Sequence, residues 1–249
     1  MREFERAECL LRHLTDTSDE AELAGALTAV AHELGFSYFA LTHHVDIRRA
    51  AQPTIRLHNY PDDWVEYYDD NRLALSDPVH RASHLTSVGF VWSDLPRMIE
   101  LTSRDREFML KAEGQGIGDG FTVPANVPGE SNGSCSFANP KGRAIRQEDL
   151  PVAQLAGAFA FEAARRLWRV RSPSPKPIPK LTDRQRECVL WVARGKSDWE
   201  ISRILGVQHE TIVRHLKQAR ERYGVGKRTM LAVQALFDGS ISFTDILRR

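Results

Sequence analysis

The sequence predicts an α+β protein. An N-terminal α-β-α sandwich is built around a five-stranded antiparallel sheet, and an all-α four-helix domain of helix-turn-helix type follows it. Three observations predict this. Residues 1–170 alternate helical periods with five short β-rich runs. Residues 181–249 read as short capped helices with no strand signal. Between them, residues 171–180 carry proline at 173, 175, 177 and 179. Alternating prolines block both helix and sheet and favour an extended linker.

The bulk numbers agree with a folded chain. Hydrophobic residues make up 42% and charged residues 27% of 249, outside the range of disordered sequences. No window approaches the ~18 apolar residues of a membrane span, and the start is charged, unlike a signal peptide. Cys9, Cys135 and Cys188 are far apart, with no CxxC. That pattern argues against a disulfide framework or a zinc site and fits a cytoplasmic location. Residues 176–249 hold 15 Lys+Arg against 8 Asp+Glu, net +7, whereas residues 1–175 hold 19 against 25, net −6. A basic quarter joined to an acidic remainder suggests a nucleic-acid module attached to a domain of another kind.

In the first domain, residues 4–15 and 19–34 are helical by period. Runs 36–45 and 54–60 are β-rich, 64–71 is a short helix, 88–92 a strand and 102–114 a helix. Runs 120–124 and 133–137 supply the last two strands, and 148–170 a long helix. Five strands with helices before, between and after them predict a sheet covered by helices, which can hold a small molecule between the layers. The long helix puts Val152, Leu155, Phe159 and Leu167 near one side, with Ala156, Ala158, Ala160, Ala163 and Ala164 around them. Small residues allow close approach of another helix, although part of this face must cover its own sheet.

In the second domain, Thr182 is a plausible N-cap for a helix ending at Gly195. Ser197 or Asp198 caps a second helix with Ile201, Ile204 and Leu205 on one face. Gly206-Val207 makes a tight turn. A third helix runs from about His209 to Tyr223, burying Ile212, Leu216 and Tyr223, and a fourth from about Lys227 to Phe237. Two short helices across a Gly-containing turn are the helix-turn-helix pattern. The outer face of the third helix carries His209, Glu210, Val213, Arg214 and Lys217, with Arg220 further along. In such a motif this helix enters the major groove: polar residues reach base edges and basic ones engage phosphates.

Leu181-Thr-x-Arg184, Gly195-Lys-Ser197, Glu200-Ile201, Ile204-Leu-Gly-Val207 and Thr211-Ile-x-x-His-Leu216 resemble the DNA-binding domain of LuxR-type regulators. The family usually has Glu where this chain has Gln185, and often Leu at Val189. The acidic pair, phospho-acceptor Asp and later Lys of a receiver domain are missing from residues 1–120.

A second motif extends the resemblance. Tyr60-x3-Trp64-x3-Tyr68 sets aromatic residues four apart, as a helical stripe would, and Asp77-Pro78 and Trp92 follow. This set, with Gly120-x-Thr-x-Pro124, resembles the N-acyl-homoserine-lactone pocket of quorum-sensing LuxR regulators. The resemblance implies an autoinducer-binding domain over 1–170 and a DNA-binding domain over 181–249. It implies a homodimer on promoter DNA with an inverted repeat, no enzyme activity, no metal, and the lactone as a signalling ligand rather than a cofactor. By resemblance, Trp64 donates to the lactone carbonyl, Asp77 accepts from the amide N–H, and Tyr60 donates to the acyl carbonyl. Ser136, or Ser134 on the same strand face, adds a hydroxyl, and Tyr68 and Trp92 wall the pocket. Val79 stands where relatives often carry a hydroxyl.

Other readings of the same residues are weaker. His80 and His84 sit four apart but lack a carboxylate or Cys to complete a metal set. His43 and His44 point to opposite sides of a strand. Asp77 as the base of a lactone hydrolase would need a nucleophile elbow or a metal cluster, and the sequence offers neither. The glycines between 114 and 120 do not link a strand to the start of a helix, as a nucleotide loop would. The same scaffold could instead sense a different small molecule, or none.

Overall fold

The computed structural model describes residues 2–45, 54–128, 130–171 and 179–247. It divides into two compact units, one built mainly from residues 1–173 and the other mainly from 174–249. Most of the expected proline linker, residues 172–178, lies outside the described residues.

The first unit is a five-stranded antiparallel sheet in the order β2-β1-β5-β4-β3. Its strands are β1 (Tyr38–His43), β2 (Arg56–His58), β3 (Phe90–Val91), β4 (Asp119–Ala125) and β5 (Gly133–Asn139). Side chains alternate across the sheet. On one face, Phe39, Phe121 and Phe137 share a row, and Leu57, Leu41, Cys135 and Val123 share the next. Onto this face pack α1 (Arg2–Thr15), α2 (Glu20–Glu33) and α7 (Leu150–Arg171). Phe39 and Phe137 are almost fully buried, each contributing about 1.5–3 kcal/mol of apolar burial.

The opposite face presents His58, Ala40, Ser136 and Thr122 in one row. It is covered by α3 (Asp62–Asp70), α4 (Pro78–Ser83), α5 (Leu95–Met98) and α6 (Ser103–Gly114). A second apolar cluster forms there around Trp64, Val79, Phe90, Trp92 and Ile117.

Three expectations need correction in this unit. Helices α4 and α5, of six and four residues, are too short to show a helical period. Tyr60 precedes α3 instead of lying on it, so one aromatic of the stripe is in a loop and two, Trp64 and Tyr68, are on the helix. On α7, Ala153, Ala156, Ala160, Ala163 and Ala164 are buried against the unit's own core. Its backbone is so close to the sheet that a Cβ at Gly157 would come within 2.8 Å of Val123. The small-residue face therefore covers the sheet, while Leu155 and Phe159 point outward at 44% and 41% exposure.

Among the described residues the second unit holds five helices, one more than expected: α8 (Asp183–Ala193), α9 (Asp198–Leu205), α10 (His209–Tyr223), α11 (Arg228–Phe237) and α12 (Phe243–Leu247). Their core gathers Cys188, Val189, Ile201, Ile212, Leu216, Leu231 and Ala235. Thr182 with Gln185, and Ser197 with Glu200, form reciprocal capping boxes at the starts of α8 and α9, each satisfying two orphan backbone or side-chain donors. Gln185 is 98% buried; a neutral amide in place of the usual Glu keeps the box without burying a charge. Gly206 and Gly224 end α9 and α10 in left-handed conformation, where a Cβ is penalised.

Candidate ligand cavity and nucleic-acid interface

A cavity of about 140 Å³ lies between the sheet and α3, α4 and α6, far more than the ~10–15 Å³ that one water needs. Tyr60, Trp64, Tyr68, Asp77, Trp92 and Ser136 all line it. Trp64 is buried by packing edge-on to Tyr68 and Phe108 at 5.8 and 5.4 Å. Neither its indole N–H nor the Tyr60 hydroxyl has a hydrogen-bond partner among the described residues. Desolvation, with the Asp77 charge second, pushes the Tyr60 phenol far up, so it stays a donor.

Asp77 is the N-cap of α4. Its Oδ1 accepts from the Val79 and His80 backbone N–H groups at 2.8 and 3.4 Å. Its Oδ2 accepts from the Tyr68 hydroxyl at 3.0 Å. Burial first, then the Asp77 carboxylate, raises the Tyr68 phenol well above its ordinary value. Tyr68 therefore does more than wall the cavity: it fixes the carboxylate whose second oxygen still has a lone pair to offer.

Trp92 also has a larger role than a wall. Its indole donates to Thr122 Oγ1 at 2.8 Å, and Thr122 lies 2.8 Å from Ser136 Oγ. An indole can only donate, so Thr122 accepts. Thr122 is fully buried and Ser136 lines the cavity, so the arrangement that leaves no proton stranded on Thr122 runs from Trp92 to Thr122 to Ser136 and leaves the Ser136 proton for the cavity. Gly120 makes this possible, because a Cβ there would stand 2.6 Å from the Trp92 ring. Thr122 was legible as the middle residue of the Gly-x-Thr-x-Pro run, but its partner was not. Ser134 is turned to a different task, with His44 Nε2 2.9 Å from its hydroxyl.

His44 gathers the histidines that the sequence left separate. Its ring stacks on His80 at 3.7 Å, and its Nδ1 lies 2.9 Å from His84 Nε2. His80 Nδ1 donates to the Ala74 carbonyl at 3.1 Å. Burial, then His80, His84 and His43, holds His44 well below 6.5 and therefore neutral. Both His44 nitrogens, His84 Nε2 and His80 Nδ1 are thus engaged within the cluster or with Ser134 and Ala74. Among the described residues no group of three or more His, Cys, Asp or Glu is set to hold a metal.

In the second unit, α9, the Gly206 turn and α10 form the helix-turn-helix. Ile212, Leu216 and Ala219 bury one side of α10, while His209, Glu210, Val213, Arg214 and Lys217 lie exposed on the other. Glu210 sits in the first turn, where the helix dipole favours an acid. Lys217 stands one turn beyond Val213, 4.0 Å from Glu221. Arg220 is half-buried and donates to the Gly226 carbonyl at 3.2 Å, so it braces the end of α10 as well as facing solvent.

Comparison with known proteins agrees with both units. Residues 19–167 match the family model for the autoinducer binding domain, and residues 179–235 match the model for bacterial regulatory proteins of the luxR family. The quorum-sensing-dependent regulator RpaR of Rhodopseudomonas palustris is 32% identical, over 78% of this chain and 78% of that protein. The transcriptional activator AhyR of Aeromonas hydrophila is 26% identical over 92% and 89%. Among solved structures, Escherichia coli SdiA superposes with a TM-score of 0.66 at 24% identity, over 98% of this chain and 99% of that one. A second SdiA structure, in complex with octanoyl-rac-glycerol, superposes with a TM-score of 0.67 at 22% identity, over 97% and 98%. The chain thus belongs to the LuxR family of quorum-sensing transcriptional regulators, with an autoinducer-binding domain followed by a LuxR-type helix-turn-helix.

Proposed function

We propose that this regulator binds an N-acyl-homoserine lactone in the first unit and inverted-repeat promoter DNA as a homodimer through the second, acting in the cytoplasm as an activator. One observation carries the ligand reading. Unpartnered donors on Trp64 and Tyr60, and the Ser136 end of the Trp92–Thr122 relay, share one aromatic-walled cavity with the Asp77 carboxylate. A lactone carbonyl, an acyl carbonyl and an amide N–H meet that set group for group: Trp64 to the ring, Tyr60 and Ser136 to the acyl oxygen, Asp77 to the N–H. Buried polar groups left unpaired would each cost about 1–3 kcal/mol. On α10, Val213 and Lys217 read bases, Arg214 and Arg220 hold phosphates, and His209 and Glu210 lie at the groove floor. Two such helices on a twofold site read half-sites about 10 bp apart. Outward Leu155 and Phe159 on α7 offer a surface for the second copy.

The test is mass spectrometry of ligand extracted from protein purified out of cells fed a panel of lactones, paired with a reporter. Wild type retains a lactone and Asp77→Asn loses most ligand-dependent activation; a wild-type response from the mutant overturns the pocket assignment. A second reading, an acyl ester of another alcohol, is favoured by the SdiA complex with octanoyl-rac-glycerol; the same extraction separates the two.

A further inference from the structure

We propose that the far side of the cavity is a second polar subsite, centred on His58, that selects an acyl group bearing a hydroxyl at its distal end. This rests on the lactone reading for the head of the ligand.

The sheet sets the geometry. His58 on β2, Ala40 on β1 and Ser136 on β5 stand side by side in one row and all line the cavity. Ala40, the smallest of the three, leaves a trough between the other two. His58 and Ser136 are two inter-strand spacings apart, on the order of 10 Å between backbones. A chain lying across Ala40 from the Ser136 hydroxyl, on the order of six to eight carbons long, ends at His58.

The chemistry of that end is not what a plain alkyl tail requires. His58 makes no hydrogen bond among the described residues, although its half-buried ring faces the cavity. In the next row, Thr42 on β1 faces Arg56 on β2. Arg56 is held by Asp69 of α3 at 2.8 Å, and all three line the cavity. Burial, then the Arg56 charge, lowers the His58 imidazole below its ordinary value, so it is neutral and offers one donor and one acceptor. Arg56 is already neutralised by Asp69, so the site has no spare cation for a carboxylate. A hydroxyl, which both donates and accepts, fits a neutral imidazole beside a paired guanidinium. A methyl end would leave His58 dehydrated and unpaired.

The experiment uses the full-length protein and two matched ligands, N-octanoyl- and N-(8-hydroxyoctanoyl)-homoserine lactone, with dissociation constants from calorimetry. Wild type is expected to bind the hydroxylated ligand about five- to tenfold more tightly. His58→Phe reverses that order, and His58→Gln, which keeps a donor and an acceptor, retains it. If both ligands bind but wild type prefers the plain chain, or His58→Phe leaves the ratio unchanged, the distal subsite is wrong while the lactone reading stands. If neither ligand binds wild type, both readings fall together.

Discussion

The two units spend their polar groups differently. In the helix-turn-helix unit, the polar groups at the helix starts are paired locally. The Thr182–Gln185 and Ser197–Glu200 boxes close the starts of two helices, and Tyr223 bonds Asp238 at 2.7 Å. His209, Glu210, Arg214 and Lys217 on α10 face outward. In the ligand unit, the Trp64 and Tyr60 donors line a cavity and have no hydrogen-bond partner among the described residues. The helix-turn-helix unit closes its helix starts by itself; the ligand unit leaves donors for a partner to complete. A substitution in either should therefore betray which strategy it has disturbed.

The sharpest separation comes from the helix-turn-helix core. Ile201 is fully buried between α8, α9 and α10. Ile201→Ala is expected to cost about 2–5 kcal/mol, abolishing operator binding in a mobility-shift assay while lactone binding by calorimetry persists. Simultaneous loss of both would break the comparison.

Gly120→Ala is the converse. Its Cβ would fall 2.6 Å from the Trp92 ring and 2.7 Å from the Phe137 carbonyl. Overpacking of this kind costs about 1–3 kcal/mol. It also pushes Trp92 off Thr122, so ligand affinity should drop by more than the melting temperature alone suggests. Unchanged lactone affinity would mean that the relay to Ser136 does not serve the ligand.

On DNA, Lys217→Ala should erode discrimination at particular bases by about 1–3 kcal/mol. Arg214→Ala should weaken matched and scrambled operators alike and flatten the salt dependence. Arg214 is the cleaner phosphate probe, since Arg220 also braces the α10 terminus. Equal losses for Lys217→Ala on both DNAs would remove that residue from base reading.

The smallest effect is electrostatic. His44 is held neutral when folded, while the unfolded chain protonates near 6.5. As pH falls below that value the unfolded state takes up the proton first, so stability present above it is lost on acidification, by at most about 1.4 kcal/mol per pH unit. Thermal melts between pH 7.5 and 5.5 should show this slope in wild type and a shallower one in His44→Gln. Parallel slopes would assign the acid sensitivity to other groups.

Legibility followed the range of the interactions. The bounds of α10, His209–Tyr223, could be read because its stop signals, Gly206 and Gly224, are adjacent in the chain. The five strands were visible through their β-branched and aromatic runs, although β2 and β3 proved shorter than those runs. Thr122 with Ser136, and His44 with His80 and His84, were not visible as partners. The first pair exists only through the register of β4 on β5, and the second through the seating of α4 beside the end of β1. Asp77 was found by spacing, but its bond to Tyr68 depends on how α3 leans toward α4.

On the proposed lactone reading, that bond would set the tolerance of the receptor. A carboxylate that waited bare for an amide would punish any visitor lacking an N–H, because the charge would be stranded in a dry pocket. Tyr68, with the Val79 and His80 N–H groups, already holds Asp77 from within the chain. An ester in place of the amide then forfeits one bond instead of exposing a charge. On that same reading, chemically related messengers should be graded in strength rather than simply accepted or refused.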